Sequence, residues 1–259
     1  MKNFWGNNWR QFLNTLNEKK IEIAKDSLTE FLGLDSFQDK TFLDIGCGSG
    51  LFSYCAYLLG AEKIISFDID EKCVESCKFF YKKAGSPPHW EITKGDILDK
   101  EFVSRLPKGD IVYSYGVFHY TGNMWLGLEN AFQLVENNGF FYFAIFNKKE
   151  GIFGSEYWKK IKKFYTNSPK IIQVIMLYGY LLKYTLNLKK YFLDYYKKRG
   201  MNKKIDVKNW LGGYPYEFAS VEEVVRFVKS RFPDMELINI KTNCGTGNNH
   251  YLFKRTKCC

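Results

Sequence analysis

No stretch of this 259-residue sequence is apolar for long enough to cross a bilayer. The longest candidate, 171 to 182, is broken by Gln173 and Gly179, and its twelve residues fall short of the roughly 20 that a spanning helix needs. No basic segment followed by an apolar one opens the chain, so no secretion signal is read and a cytoplasmic location is expected. The seven cysteines (47, 55, 73, 77, 244, 258 and 259) form no CxxC pair and have no histidine at zinc spacing. That pattern argues against a zinc module and for free thiols in a reducing compartment. Cys73 and Cys77 lie one helical turn apart, the spacing of half a metal site, but core packing explains them more simply and no metal is expected. Internal repeats and low-complexity tracts are also missing.

What is present is a globular composition, 46% hydrophobic with 18% aromatic residues, long enough for one elaborated domain or two small ones. The net charge of +10 is unevenly spread. Residues 147–210 hold 16 Lys+Arg against 4 Asp+Glu, a balance of +12, and the remainder holds 22 against 24, a balance of −2. The basic character therefore belongs to one segment and not to the fold.

The stretch 41–53, TFLDIGCGSGLFS, reads as a buried strand, an acid (Asp44), a turn with Gly46, Gly48 and Gly50, and a helix start. Alternating glycines let a backbone approach a ligand where side chains would collide, and the helix N-terminus beyond favours an anionic group. A dinucleotide G-x-G-x-x-G would need its third glycine at position 51, which is Leu. Helix periodicity runs from Gln11 to Leu32 and stops at Gly33. After the turn come a strand from Lys63 to Phe67 ending in Asp68-Ile69-Asp70, a helix from Glu71 to Lys83 capped by Asp70, and a strand from His89 to Lys94 before Gly95-Asp96-Ile97. A fourth strand starts at Asp110 and exits at Gly116. A helix follows from Leu126 to Val135, then a turn from Glu136 to Gly139, and a fifth strand from Phe140 to Phe146. Short connections between alternating strands and helices predict a mostly parallel, doubly wound α/β sheet covered on both faces. Asp68 lies 22 residues past Gly46, where doubly wound nucleotide sites place the acid that grips a ribose diol. Residues 147–219 interrupt the alternation. Then Ser220 and Glu223 match a capping box, and a hairpin runs from Met235 to Thr242 and from His250 to Arg255.

The D-x-G-x-G-x-G run and the order of elements after it resemble the class I S-adenosylmethionine (SAM) methyltransferases, including their closing antiparallel hairpin. The resemblance implies a Rossmann-like methyltransferase fold with a seven-stranded sheet and a helical insertion after the fifth strand. The expected units are an N-terminal helical cap (1–40), a SAM-binding core (41–146), a basic aromatic lid (147–219) and a final helix and hairpin (220–259). It implies SAM as cofactor and S-adenosylhomocysteine as product. The expected binding set is Asp44, Gly46, Cys47, Gly48 and Gly50 in the turn, Asp68 and Ile69 at the ribose, Asp96 and the Ile97 backbone at the adenine, and Ser114 and Tyr115 at the fourth-strand exit. Trp5 or Trp9 is expected either to stack on the donor or to pack on the sheet edge. His119 is the first candidate for general base, because its ordinary pKa is near the working pH. Tyr115 and Tyr120 are rivals or orienters, and His250 is expected to approach the same pocket.

The fourth-strand exit reads Ser114-Tyr115-Gly116-Val117. It has neither the (N/D)PPY motif of base-amino enzymes nor the Pro-Cys nucleophile of carbon-5 cytosine enzymes, so oxygen is the expected acceptor atom. The runs SYGVFHYTGNMWLGLEN and WLGGYPYEFAS, with the Gly–Asn hairpin loop, resemble a bacterial subfamily that sits with surface-polysaccharide biosynthesis and bears quinone-type O-methyltransferase names. Tyr120 stands where that subfamily commonly has a second histidine. The expected acceptor is a sugar, phosphosugar or cell-surface precursor. Segment 156–199 mixes lysines with Trp158, Phe164, Tyr165, Tyr178, Tyr180, Tyr184, Tyr191, Phe192, Tyr195 and Tyr196. It reads as a lid for an acidic or phosphorylated acceptor, as a face for an anionic membrane, as an RNA surface, or as a solvated face over an aromatic core. The functional alternatives are an RNA methyltransferase and a non-catalytic SAM-binding adaptor.

Overall fold

The computed structural model describes Trp9, Leu13, residues 16–185 and residues 203–256, with the side chains of 183–185, 203–206 and 209 excepted. Trp5, Cys258, Cys259 and the aromatic residues at 191, 192, 195 and 196 lie outside the described residues, as does the side chain of Tyr184.

Seven strands form one sheet: β1 (Thr41–Ile45), β2 (Lys63–Asp68), β3 (Trp90–Lys94), β4 (Gly109–Tyr115), β5 (Val135–Phe146), β6 (Met235–Lys241) and β7 (Asn248–Arg255). Their order is β3-β2-β1-β4-β5-β7-β6. The first five pair in parallel, and β7 runs antiparallel to both β5 and β6. The carboxyl ends of β1, β2 and β3 therefore share one edge, and the strand order reverses between β1 and β4. That edge is where open α/β sheets bind ligands.

Residue alternation divides the core into two layers. Helices α1 (Glu18–Leu32), α2 (Leu51–Leu58) and α3 (Glu71–Lys83) bury Leu28, Leu32, Cys55, Cys77 and Phe80 against Tyr113 and Tyr142 on one face. On the other face α4 (Lys100–Ser104), α5 (Met124–Gln133) and α9 (Val221–Arg231) bury Val103, Leu128, Phe132, Val224 and Val228 against Phe141, Phe143 and Ile145. Local signals set the helix ends. Gly33 terminates α1 in the left-handed conformation at φ 66°, Asp70 caps α3, and Ser220 with Glu223 closes a full capping box on α9.

β5 departs from the expected boundary. It starts at Val135, not Phe140: Val135 pairs with Gly109, the chain bulges through 136–139, and pairing resumes between Ile111 and Phe140. Gly139 is required at the bulge, where an added Cβ would fall 2.8–3.1 Å from the carbonyl oxygens of Glu136, Asp110 and Gly109. Helix α5 likewise begins two residues earlier than its apolar pattern suggests, because Asn123 caps it.

The segment after β5 forms α6 (Ser155–Asn167), α7 (Lys170–Thr185) and α8 (Lys203–Gly212) around a small core of Tyr165, Leu177, Val207 and Leu211. It leaves the sheet at Asn147 and returns beside that residue at Ala219, which Asn147 bridges in parallel. Among the described residues no helix is long and apolar enough to cross a membrane.

Arg255 fastens the hairpin edge to the bulge region. Its buried guanidinium donates to the carbonyls of Val135 and Phe132, and Asp234 lies 2.9 Å from Nε, close enough for charge but off line for a hydrogen bond. Arg255→Met keeps the length and strands both carbonyls. Urea unfolding is expected to show a loss of about 2–4 kcal/mol. A change within about 0.5 kcal/mol would mean that the edge is held by its apolar contacts alone.

Candidate active site

The site is built from the ends of the parallel strands. β1 stops at Ile45, and the chain turns through Gly46, Gly48 and Gly50 at φ 70°, 55° and 79°. Each glycine also has a steric reason. An added Cβ would lie 2.4 Å from Val117 at Gly46, 2.8 Å from the Trp9 indole at Gly48, and 2.6 Å from Cys77 Sγ at Gly50. Trp9 thus packs directly on the glycine turn.

No side chain from Gly50 caps α2. Asp44, at the end of β1, accepts the hydroxyl of Ser53. Ser53 in turn meets Ser66 Oγ at 2.8 Å, and Trp90 Nε1 donates to Ser66 at 2.9 Å. Trp can only donate and ionised Asp can only accept, so the proton direction is fixed along the chain Trp90, Ser66, Ser53, Asp44. This buried relay holds the turn from beneath. Burial pushes the Asp44 carboxyl up to about 7, with the Ser53 bond opposing the shift and the nearby Asp68 charge adding to it.

Asp68, at the end of β2, holds the turn from the side. Its Oδ2 accepts the Gly48 N–H at 3.0 Å and its Oδ1 accepts the Asp70 N–H at 2.9 Å. Burial raises it to about 6 against those two bonds. Ile69 beside it is 63% exposed. The third strand's exit is tied to the second by the Gly95 N–H on the Asp68 carbonyl. Asp96 then turns the chain by accepting the Leu98 N–H, and the carbonyl of buried Ile97 is fixed by Asn130 Nδ2 at 2.7 Å. The turn, Asp68, Ile69, Asp96 and Ile97 are therefore brought to one edge. Asn130 and the Ser53–Ser66–Trp90 relay were not among the expected residues.

Ser114 has its hydroxyl committed within the sheet. Its side chain is fully buried and its hydroxyl donates to the Ile45 carbonyl at 3.1 Å, tying β4 to β1. Tyr115, next along, is 42% exposed, and its ring meets His250 edge-on at 5.3 Å. His250 Nδ1 lies 2.9 Å from the Tyr142 hydroxyl. Burial, with Lys241 second, lowers His250 to about 4, so it is neutral near pH 7. The hairpin loop is pinned beside the β5 exit, where Asn147 Nδ2 donates to the carbonyls of Asn243 and Gly245.

His119 occupies a different setting. It lies on the single 3₁₀ turn Phe118–Tyr120, buried, with its ring 3.9 Å from that of Phe146 and 4.4 Å from that of Tyr120. It shares no ring partner with His250. The expectation of an ordinary imidazole pKa is corrected here. Burial first and the Lys162 charge second hold His119 well below the usual range, so it stays neutral. Burial drives Tyr120 far above the usual phenol range, so its hydroxyl keeps its proton near pH 7.

Around His119 stands a box that the sequence reading missed. Lys162 of α6 is fully buried, with Nζ 3.7 Å from the Trp210 ring centroid, 4.8 Å from that of Tyr216 and 6.0 Å from that of Phe146. It donates to the Trp210 carbonyl, and no carboxylate among the described residues pairs with it. Burial holds its pKa well below that of an ordinary lysine. His119 Nδ1, Trp210 Nε1 and the Tyr216 hydroxyl, which lies beside Ser155 but outside hydrogen-bond geometry, are buried without partners. One signal was available: Trp158, Ile161, Lys162 and Tyr165 fall at i, i+3, i+4 and i+7, which sets this lysine on the apolar stripe of its helix.

A family profile described as a methyltransferase domain matches residues 36–200. The chain is 26% identical over 229 residues to the ubiquinone biosynthesis O-methyltransferase of Pelagibacter ubique (strain HTCC1062), covering 84% of this chain and 88% of that protein. It is 31% identical over 103 residues to the ribosomal protein L11 methyltransferase of Staphylococcus haemolyticus (strain JCSC1435), covering 40% of this chain and only 31% of that protein. Among solved structures, the magnesium protoporphyrin IX methyltransferase ChlM of Synechocystis PCC 6803, with bound SAH, aligns at TM-score 0.55 and 13% identity over 96% of this chain and 94% of that one. PKMT2 of Rickettsia typhi aligns at TM-score 0.60 and 14% identity over 90% of this chain and 52% of that one. Likeness at this identity establishes the shared fold.

Asp44 and Asp68 both titrate above the ordinary carboxylate value near 4. The folded chain therefore keeps protons that the unfolded chain releases, so their contribution to stability is fullest below about pH 4, falls as pH rises to about 7 and is flat above. Asp44→Asn preserves an acceptor for Ser53 and is expected to remove on the order of a few kcal/mol of that fall. Urea midpoints of the donor-free protein from pH 4 to 8 test this. Parallel wild-type and variant profiles would contradict it.

Proposed function

We propose, for a chain that belongs to the class I SAM-dependent methyltransferases, that the acceptor is a small or glycan-type molecule bearing an acidic or phosphorylated group. The proposed acceptor atom is one of its oxygens. SAM is the methyl donor. When bound, it supplies a sulfonium-activated methyl group for in-line displacement, so the protein's tasks are alignment and removal of the acceptor's proton.

The residues present fit that donor. The glycine turn packs its backbone closely against Val117, Trp9 and Cys77, and the N-terminus of α2 beyond it favours the donor's carboxylate. In this reading Gly46, Cys47, Gly48 and Gly50 hold the amino-acid end and Asp68 accepts from the ribose hydroxyls. Ile69, Asp96 and the Ile97 backbone receive the adenine, and Trp9 covers the turn. Asp44 acts indirectly, by holding α2 and the turn in register.

One observation carries the acceptor class. The box around His119 is rich in donors: the Lys162 amino group and the Trp210 indole N–H face no acid among the described residues. Buried donors call for an acceptor-rich partner, and an anionic group brought beside Lys162 would favour its charged form against the burial that lowers its pKa. His119, kept neutral by burial, would take the acceptor hydroxyl's proton at Nδ1. Tyr115, Tyr120 and His250 would orient the acceptor. Oxygen as acceptor atom is supported by the O-methyltransferase name of the relative that aligns over most of its length and by the missing base-methylation motifs. The two long runs that resemble the polysaccharide-associated subfamily favour a cell-surface sugar precursor.

The acceptor class is tested by incubating the protein with labelled SAM and a panel of phosphosugars, uronic acids, neutral sugars and RNA. Label is expected on the acidic sugars. Lys162→Met is expected to raise KM for them about tenfold or more while leaving SAM affinity unchanged. Label on RNA, or on neutral sugars equally, would overturn the reading. Asp68→Ala is expected to weaken SAM binding by about 1–3 kcal/mol in calorimetry. Unchanged affinity would mean that the ribose lies elsewhere.

A further inference from the structure

Helix α7 carries apolar residues on two opposite faces. Leu177 is buried in the small core of the insertion, with Met176, Tyr180 and Leu181 packed against it. On the far side Ile171 is 71% exposed, Ile175 65% and Val174 49%, and the partly exposed Tyr178 and Leu182 lie on the same line. Spacing of i, i+3, i+4, i+7 and i+11 makes this one continuous stripe. Phe164 on α6 is also exposed, as are Ile152 and Phe153 in the loop before it.

The charge around this surface has one sign. From 157 to 185 the sequence has six lysines and no Asp or Glu. Lys162 is the buried one, and Lys159, Lys160, Lys163 and Lys170 are exposed. Three of these, Lys160, Lys163 and Lys170, form no ion pair with a described acidic residue. An aliphatic stripe that starts beside Lys170, on a segment whose other exposed charges among the described residues are the α6 lysines, fits a layer that is apolar beneath and anionic at its surface. At 16 residues and 1.5 Å of rise each, α7 is about 24 Å long, against a hydrocarbon core of about 30 Å, so it suits lying in the interface plane and not crossing it. Nucleic acid fits the stripe less well than lipid does, because four of its five residues, Ile171, Val174, Ile175 and Leu182, are aliphatic and give bases nothing to stack on.

We propose that the outer face of α7, with the flanking lysines of α6, docks this protein on an anionic phospholipid bilayer. The apolar stripe would enter the headgroup boundary, and Lys160, Lys163 and Lys170 would meet lipid phosphates. This inference does not depend on the acceptor's identity.

Co-sedimentation with phosphatidylcholine vesicles and with mixed phosphatidylcholine–phosphatidylglycerol vesicles tests it. The full chain is expected to bind the mixed vesicles, weakly at high salt, and to ignore phosphatidylcholine alone. Ile175→Glu is expected to weaken binding about tenfold. Lys160→Gln with Lys163→Gln, which leaves the apolar stripe intact, is expected to weaken it about fivefold per lysine. Thermal unfolding identical to wild type verifies that each variant is folded. Absence of wild-type binding to the mixed vesicles, or wild-type binding by both variants, would overturn the proposal. So would an RNA oligonucleotide that binds this face in place of vesicles.

Discussion

The contact on which the rest depends is between the Asp68 carboxylate and the N–H of Gly48. The glycine turn has three residues in left-handed geometry, a conformation that a free chain would not hold. Asp68 fixes the middle of that turn to the end of β2, and Asp44 fixes the helix beyond it through Ser53. Burial raises both acids above the ordinary carboxylate value, so the turn is held by groups that are themselves destabilised in the charged state. Such strain is affordable only in a sheet whose parallel centre is packed on both faces, and that is what the two aromatic layers around β4 and β5 provide.

The parts of the fold and site that were legible in sequence are those set by local chemistry. Gly46, Gly48 and Gly50 announce positive φ. Gly33, Asp70 and the Ser220–Glu223 pair announce helix ends, and the acid 22 residues past Gly46 announces the second-strand exit. What was not legible depends on neighbours distant in the chain. Ser114 looks like a site residue by position, yet its hydroxyl is claimed by Ile45, 69 residues away in sequence. The start of β5 was hidden because 136–139 has turn composition and becomes a bulge only when Gly109 supplies a partner for Val135.

The histidines illustrate the same limit. His119 and His250 have the same intrinsic pKa, and both sit near strand ends. Burial lowers each of them, but one rests on Phe146 inside the box and the other meets the half-exposed Tyr115 in a separate ring cluster. Lys162 deepens the contrast, since a lysine in a Lys-rich segment reads as solvated until its helical phase is counted. The basic insertion thus divides its labour by helix face. Lys162 points inward among rings, and Lys159, Lys160, Lys163 and Lys170 are exposed.

The central claim is that the three strand ends form a seat for an adenosyl donor, with Asp68 at its sugar. A crystal structure of the protein soaked with S-adenosylhomocysteine tests it most directly. The account predicts density along Gly46 to Gly50, with both ribose hydroxyls within hydrogen-bond distance of Asp68. Density elsewhere, or a nicotinamide nucleotide bound in preference at the same turn, would contradict it.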